Sequence, residues 1–274
     1  MRLALISDIH ANLEALEATL ADIASRSINR IVCLGDIVGY NTSAVECIAL
    51  IRRNNCLCVA GNHDLAACGR ITTRNFSSTA ARALAWTRQR LAREDLAFLC
   101  GLPLKADIYD QLVAVHGALH PETGCESVRL DNDERRLLSF KALMAQPSGA
   151  RICAFGHTHH AAVHEYRNGR VTVRAEEEVR LRDDAYYLIN PGTVGEPRAF
   201  DRRASYMVLD LARRTVTVRR VAYDSSAALA ARRRAGLAPR LGFVAAPLRG
   251  AIAAALRSVG LDRPVKQFGA YLGL

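Results

Sequence analysis

RLALISDIH, residues 2–10, is an apolar run that stops at a D-x-H triplet. The run is too short for the apolar region of a signal peptide and reads as a first buried strand. The same ending recurs twice. RIVCLGDIVGY (30–40) and CLCVAGNHD (56–64) each pass from an apolar stretch into a short polar motif. Helical patterns separate the three. Leu13, Leu16, Leu20 and Ile23 share one face, and Ser43 to Glu46 (SAVE) fits a capping box opening a helix to about Arg53. A β-α-β-α-β order predicts parallel strands with helices on the sheet faces. Ligand sites in such sheets collect at the carboxyl ends of the strands, so the motifs are expected to share one crevice.

Further along, residues 77–100 read as one helical stretch, broken at Leu102-Pro103. Two short strands follow around a turn near Asp110, and the second runs into VHG (115–117). Residues 132–145 read as a helix, and RICAFG (151–156) as a strand ending in GHTHH (156–160). The style then changes. Asn168-Gly169 inside RNGR is a two-residue hairpin signal. AYYLIN (185–190) ends in NPGTVG (190–195), and SYMVLDL (205–211) pairs with TVTVRRV (215–221) across Ala212 to Arg214. The expectation is a parallel α/β half followed by an antiparallel half. A boundary near residue 225 divides a catalytic domain, 1–225, from a basic helical extension, 226–274, packed on it or on a partner. There is no internal repeat, no low-complexity linker and no P-loop.

The 274 residues are half hydrophobic and 23% charged, an ordinary balance for a soluble globular chain able to bury a core. No apolar run approaches the roughly 18–20 residues of a membrane span. Eight cysteines include no C-x-x-C pair and several sit in apolar elements, so they read as reduced thiols of a cytoplasmic protein rather than a zinc ribbon. The net charge of +10 is uneven: residues 229–274 carry eight Arg or Lys against Asp262 alone. Arg outnumbers Lys 34 to 3, and no function is attached to that ratio.

Asp8, His10, Asp36, Asn62, His63, His116, His157 and His159 all follow apolar strands. Setting His63 aside, two carboxylates, one amide and four histidines form a mixed O/N set suited to Mn, Fe, Co, Ni or Zn rather than to Ca or Mg alone. The set exceeds what one tetrahedral metal needs, and a shared carboxylate points to two metals ~3.5–4 Å apart. Each motif alone has a plainer reading. D-x-H is commonly a capped turn, GNHD an Asx-type turn, and VHG is nearly uninformative. Their conjunction, five motifs in order, each at a strand end, argues for a site.

In this order D-x-H, G-D-x-x, G-N-H-D, V-H-G and G-H-T-H resemble the calcineurin-like metallophosphoesterases. GDIVGY, CVAGNHD, GHTH and NPGTVG are most similar to the small bacterial and archaeal phosphodiesterase-like branch. The resemblance spans residues 8 to about 195. It implies an α/β fold of mixed type, a two-sheet β-sandwich flanked by helices in four αββα layers. It implies one metal held by Asp8, His10 and His159, a second held by Asn62, His116 and His157, and Asp36 bridging both, with Mn favoured. His63 would face the phosphate and assist the leaving group, and a bridging hydroxide would attack a small phosphodiester directly.

Departures from the pattern matter. Gly39 and Tyr40 stand where related Ser/Thr phosphatases carry Asp and Arg, and Asp64 replaces their Glu. With the usual orienting Asp missing, Asp64 or a backbone carbonyl is left to orient His63. The missing Arg argues against a phosphoprotein phosphatase and against the dinucleoside tetraphosphatases.

Arg70, Arg74 and Asn75 follow GNHD and have two readings: contacts to substrate alongside Asn62, since guanidinium matches phosphate, or a solvated loop and helix cap. Asn190 to Gly195 read as pocket rim or structural turn, and His160 as a flanking or rim residue. RGAIAAALRSVG (249–260) places Ile252, Leu256 and Val259 on one helical face. That face could pack on its own domain or a second subunit, meet an anionic partner such as nucleic acid, or lie on a membrane surface. A nuclease gripping nucleic acid with this tail is therefore the alternative enzyme. A scaffold that has lost catalysis is the non-enzyme alternative, although the chain keeps every ligand.

Overall fold

The structure, a computed structural model, describes residues 1–198 and 200–238. The helix expected over 249–260 lies outside the described residues. Strand β1 (Arg2–Ile6), helix α1 (Leu13–Ser25), β2 (Ile31–Cys33), α2 (Ala44–Arg53) and β3 (Leu57–Cys58) realise the expected alternation, with β1 parallel to β2 and β2 to β3. Ser43 does sit at the start of α2, but its hydroxyl caps nothing. Its N–H is instead bonded to the Ala11 carbonyl at 3.1 Å, so the loop after β1 rather than a capping box places that helix.

Helix α3 (Asn62–Cys68) starts inside the GNHD motif and is followed by α4 (Ser78–Arg88) and α5 (Arg93–Gly101). The single helix expected over 77–100 is therefore two. Asp95 accepts the Ala92 N–H at 3.1 Å and opens a new helix, while Leu91 turns inward and is buried. Strands β4 (Lys105–Ile108) and β5 (Leu112–Val115) form the hairpin at Asp110, and α6 (Asp133–Met144) precedes β6 (Ile152–Ala154). Then come β7 (Ala161–Arg167), β8 (Arg170–Arg174), β9 (Glu178–Arg180), β10 (Tyr186–Pro191), β11 (Ala204–Asp210), β12 (Thr215–Val221) and α7 (Ser225–Arg234). Asn168 and Gly169, between β7 and β8, have φ of 52° and 77°, as a type I′ hairpin requires.

Two six-stranded sheets result, in the orders β3-β2-β1-β11-β12-β9 and β4-β5-β6-β10-β7-β8. The chain's two halves do not become two sheets. β11 pairs antiparallel with β1, and β6 lies parallel to both β5 and β10, so each sheet is mixed. The register on β1 shows why the run RLALI is apolar throughout. Leu3 and Leu5 enter the core between the sheets with Tyr187, Ile189 and Met207. Ala4 and Ile6 face the opposite way, toward Leu16, Ile23 and Ile48 of the covering helices. Val115, Cys153 and Leu188 of the second sheet meet Phe140 and Leu143 of α6. Helices, sheet, sheet and helix make four layers, the αββα arrangement expected.

α7 lies against α1. The buried Arg232 on it pairs with Glu196 at 3.0 Å, and Leu237 just beyond it is buried. Among the described residues, no helix is long and apolar enough to cross a membrane. All eight cysteines are free thiols.

Candidate metal centre

The parallel strands of both sheets end at the same edge of the sandwich, and there the loops bend sharply. Asp8, His10, Asp36, His157 and His159 have φ between 50° and 64°, a left-handed conformation that non-glycine residues adopt rarely and at a cost. On an extended chain, side chains two apart point to opposite faces. The left-handed residues break that alternation, so Asp8 and His10, and likewise His157 and His159, aim into one centre.

The loops pay for this by bonding one another. Asp8 and His10 donate their N–H groups to Gly35 and Asp36 carbonyls at 3.1 and 2.9 Å. Thr193 donates its hydroxyl to the Asp8 carbonyl at 2.7 Å, and the Gly195 N–H reaches the same oxygen at 3.0 Å. Asn190 donates to the Gly156 carbonyl at 2.7 Å and to the Thr158 hydroxyl at 3.0 Å. NPGTVG is thus a buried brace beneath two ligand loops, not a pocket rim. Gly195 has no room for a side chain, since a Cβ there would stand 1.8 Å from the Ile9 carbonyl oxygen.

Within the centre, potential ligand atoms crowd together. His10, His116 and His159 each set Nδ1 against a backbone carbonyl: Val38 at 3.2 Å, Leu34 at 2.7 Å and Glu196 at 2.7 Å. A carbonyl only accepts, so each Nδ1 carries its proton and Nε2 is the atom left to face a metal. Yet Nε2 of His10 and Nε2 of His159 are 3.1 Å apart, and Nε2 of His116 lies 3.2 Å from Asn62 Oδ1 and 3.3 Å from Asp36 Oδ2. Asp8 Oδ1, 3.2 Å from His159 Nε2, is buried without a hydrogen-bond partner. Such converging ligand atoms need positive charge between them, from metal ions or, without metal, from the proton that Asp36 favours on His116.

The charges agree. Burial disfavours a charge on Asp8 and Asp36, but His159 beside the first and His116 beside the second hold both carboxyls below the usual range. Burial also opposes charge on His116, and Asp36 with Asp8 outweighs it, pushing that imidazole up to about 10. Burial and His63 keep His10 well below the ordinary value, and burial with the charge of His116 takes His157 down to about 3. One imidazolium against two ionised carboxylates leaves a buried negative excess that divalent ions would neutralise. Three donor groups could hold a metal: Asp8, His10 and His159; Asp36, His116 and His157; and His10, Asp36 and His63. The first two match the sets inferred from the resemblance, with Asn62 beside His116.

His63 is buried among His10, Tyr40 and Phe76, with ring centroids 4.7, 4.9 and 5.0 Å away. Burial lowers its pKa against the opposing pull of Asp36. Its Nδ1 has no hydrogen-bond partner and is closed off by Gly39, where a Cβ would stand 2.2 Å away. Gly39, at the position of the Asp in related phosphatases, makes room for this ring instead of orienting it.

Asp64 does not orient His63. Its carboxylate accepts the N–H groups of Asp36, Ile37, Val38 and Gly61 at 2.8 to 3.2 Å, clamping the GDIV loop onto the start of α3. Asp64→Ala should therefore destabilise the metal-free protein by about 3 kcal/mol or more, since several buried donors would lose their acceptor. Denaturant unfolding measures this, and a loss under about 1 kcal/mol would contradict the clamp.

A cavity of about 730 Å³ opens beside the centre, lined by Asp36, Asn62, His63, His157 and His159. Asn75 lines it, as one sequence reading held. Arg70 and Arg74 do not: both are exposed, and Arg70 donates to the Cys100 carbonyl at 3.2 Å on α5. The length of the loop carries them past the rim, which leaves the solvated reading for both. His160 is exposed outside the lining. Sequence reasoning missed Phe76, Glu126, Arg129 and Arg198 on the cavity wall and gave Tyr40 no wall role. Only the aromatic pair, next to motif residues, had a local signal.

The profile of the calcineurin-like phosphoesterase superfamily domain matches residues 1–214. The chain belongs to that superfamily of phosphoester hydrolases, which typically bind divalent metals. It is 38% identical over 226 residues, 81% of this chain and 88% of the relative, to an uncharacterized protein of Methanocaldococcus jannaschii. The crystal structure of a metallophosphoesterase from Sphaerobacter thermophilus superposes with a TM-score of 0.71 at 36% identity, covering 86% of this chain and 94% of that one. A hypothetical protein from Pyrococcus horikoshii shares the fold, with a TM-score of 0.68 at 17% identity over 86% of this chain and 94% of that one.

Proposed function

We propose that the protein is a dinuclear metal-dependent phosphodiesterase. The observation that carries this reading is the convergence of ligand atoms: Nε2 of His10 and Nε2 of His159 3.1 Å apart, and Nε2 of His116 facing Asn62 and Asp36 oxygens. Asp8, His10 and His159 would hold one ion, and Asn62, His116 and His157 the other, with Asp36 shared. Two such ions would supply a hydroxide near neutral pH and neutralise phosphate oxygens as charge builds; manganese is the favoured metal.

The residues do the rest. Left-handed backbone at Asp8, His10, Asp36, His157 and His159 fixes the ligand directions before metal arrives, so little reorganisation accompanies binding. Val38, Leu34 and Glu196 carbonyls fix the tautomers of three histidines. Because Nδ1 of His63 is closed off by Gly39, its Nε2 would face the departing oxygen and donate a hydrogen bond or proton there. A small diester fits this arrangement, because no arginine stands at position 40 to grip the extra charge of a monoester and Tyr40 lines the wall instead.

The test is hydrolysis by chelator-stripped protein reloaded with Mn. Bis(p-nitrophenyl) phosphate should be cleaved at least about tenfold faster than p-nitrophenyl phosphate, a discrimination near 1.4 kcal/mol. Activity absent after Mn loading, or a monoester preference, would overturn the reading.

A further inference from the structure

We infer that Arg129 and Arg198 build an anion subsite in the cavity beside the metal centre, so that the preferred diester carries a second phosphate on one of its alcohol arms. This rests on the phosphodiesterase reading above. The cavity, about 730 Å³, lies in the roughly 300–1,000 Å³ range of sites that enclose whole small ligands, far more than one phosphate fills. Arg129 follows the short helical turn Cys125–Ser127 and Arg198 follows NPGTVG. These loops are remote in sequence, yet both side chains line the one cavity, and both guanidinium charges act on the His160 imidazole.

Neither arginine is committed elsewhere. Arg129 has a single long pair, Nε to Asp131 at 3.8 Å, with both side chains more than a third exposed, a contact of little strength. Arg198 has no ion pair or hydrogen bond among the described residues. Arg232, by contrast, is buried and locked on Glu196. The same wall carries Glu126, which is 7% exposed and accepts weakly from the Ser127 hydroxyl at 3.4 Å. That carboxylate would repel a phosphate placed against it but accept from a hydroxyl. A sugar phosphate arm supplies both groups, a hydroxyl for Glu126 and a phosphate for the two guanidinium forks.

A matched pair of esters tests this on the full-length, Mn-loaded protein: thymidine 5′-(p-nitrophenyl phosphate) with and without a 3′-phosphate. The 3′-phosphate should raise kcat/KM about tenfold or more, mainly through KM. In Arg129→Ala and Arg198→Ala the ratio between the two esters should fall several-fold, and in the double variant it should approach one. A wild-type ratio near one, or variants that slow both esters equally and keep the ratio, would overturn the subsite. Thymidine 3′,5′-bisphosphate binding, measured by calorimetry without turnover, separates the two levels. Arginine-dependent binding with no cleavage of either ester would retract the phosphodiesterase reading and retain the subsite.

Discussion

Asp36→Asn should reduce bound metal from two equivalents per chain to one or none and lower diester hydrolysis by about 10³-fold or more, because both the shared ligand and a centre of transition-state electrostatics are lost. Asp36 Oδ2 lies 3.3 Å from His116 Nε2 and 3.7 Å from His10 Nε2, one from each donor group. The other oxygen accepts the His63 N–H at 2.8 Å, which fixes the carboxylate between them. Asparagine keeps the size but removes the charge, and its amide hydrogens would meet a site built of acceptors. The circular dichroism and Tm of the metal-free variant show whether the fold survives. Two retained equivalents of metal with a rate within tenfold of the original would remove Asp36 from its bridging role.

His63→Ala should leave metal content near normal while lowering turnover by roughly 10²–10⁴, the usual worth of a positioned acid. The ring sits on the first turn of α3, and the backbone N–H that holds Asp36 survives the substitution. What disappears is the donor facing the cavity. The rival role is explicit in the geometry, since His63 also groups with His10 and Asp36 as three donors able to hold a metal. Metal loss as large as that in Asp36→Asn would make His63 a ligand. Unchanged turnover would make it neither ligand nor acid.

The two variants bear on parts of the site that were unequally visible in the sequence. Asp8, His10, Asp36, Asn62, His116, His157 and His159 were legible because metal chemistry restricts the residue types and each follows an apolar strand. Hydrophobic alternation and hairpin signals such as Asn168-Gly169 gave most of the elements. Sheet membership was not legible, because β11 must travel the length of the chain to pair with β1. The part played by Asp64, left open between orienting His63 and yielding that task to a backbone carbonyl, was hidden for a related reason. Four backbone N–H groups from two loops converge on its carboxylate, and nothing local in GNHD announces that convergence. The substrate wall was the least legible part. Arg129 and Arg198 are two of 34 arginines, and only the folded loops bring them to one cavity. Arg70 and Arg74 stood closer to a motif and were carried outside.

The central claim is that these acceptors surround two cations. Anomalous diffraction from crystals of the chelator-stripped protein soaked in Mn tests it most directly. The account predicts two peaks about 3.5–4 Å apart on either side of Asp36. One would lie against Asp8, His10 and His159, the other against Asn62, His116 and His157. A single peak, or none at these residues, would contradict it.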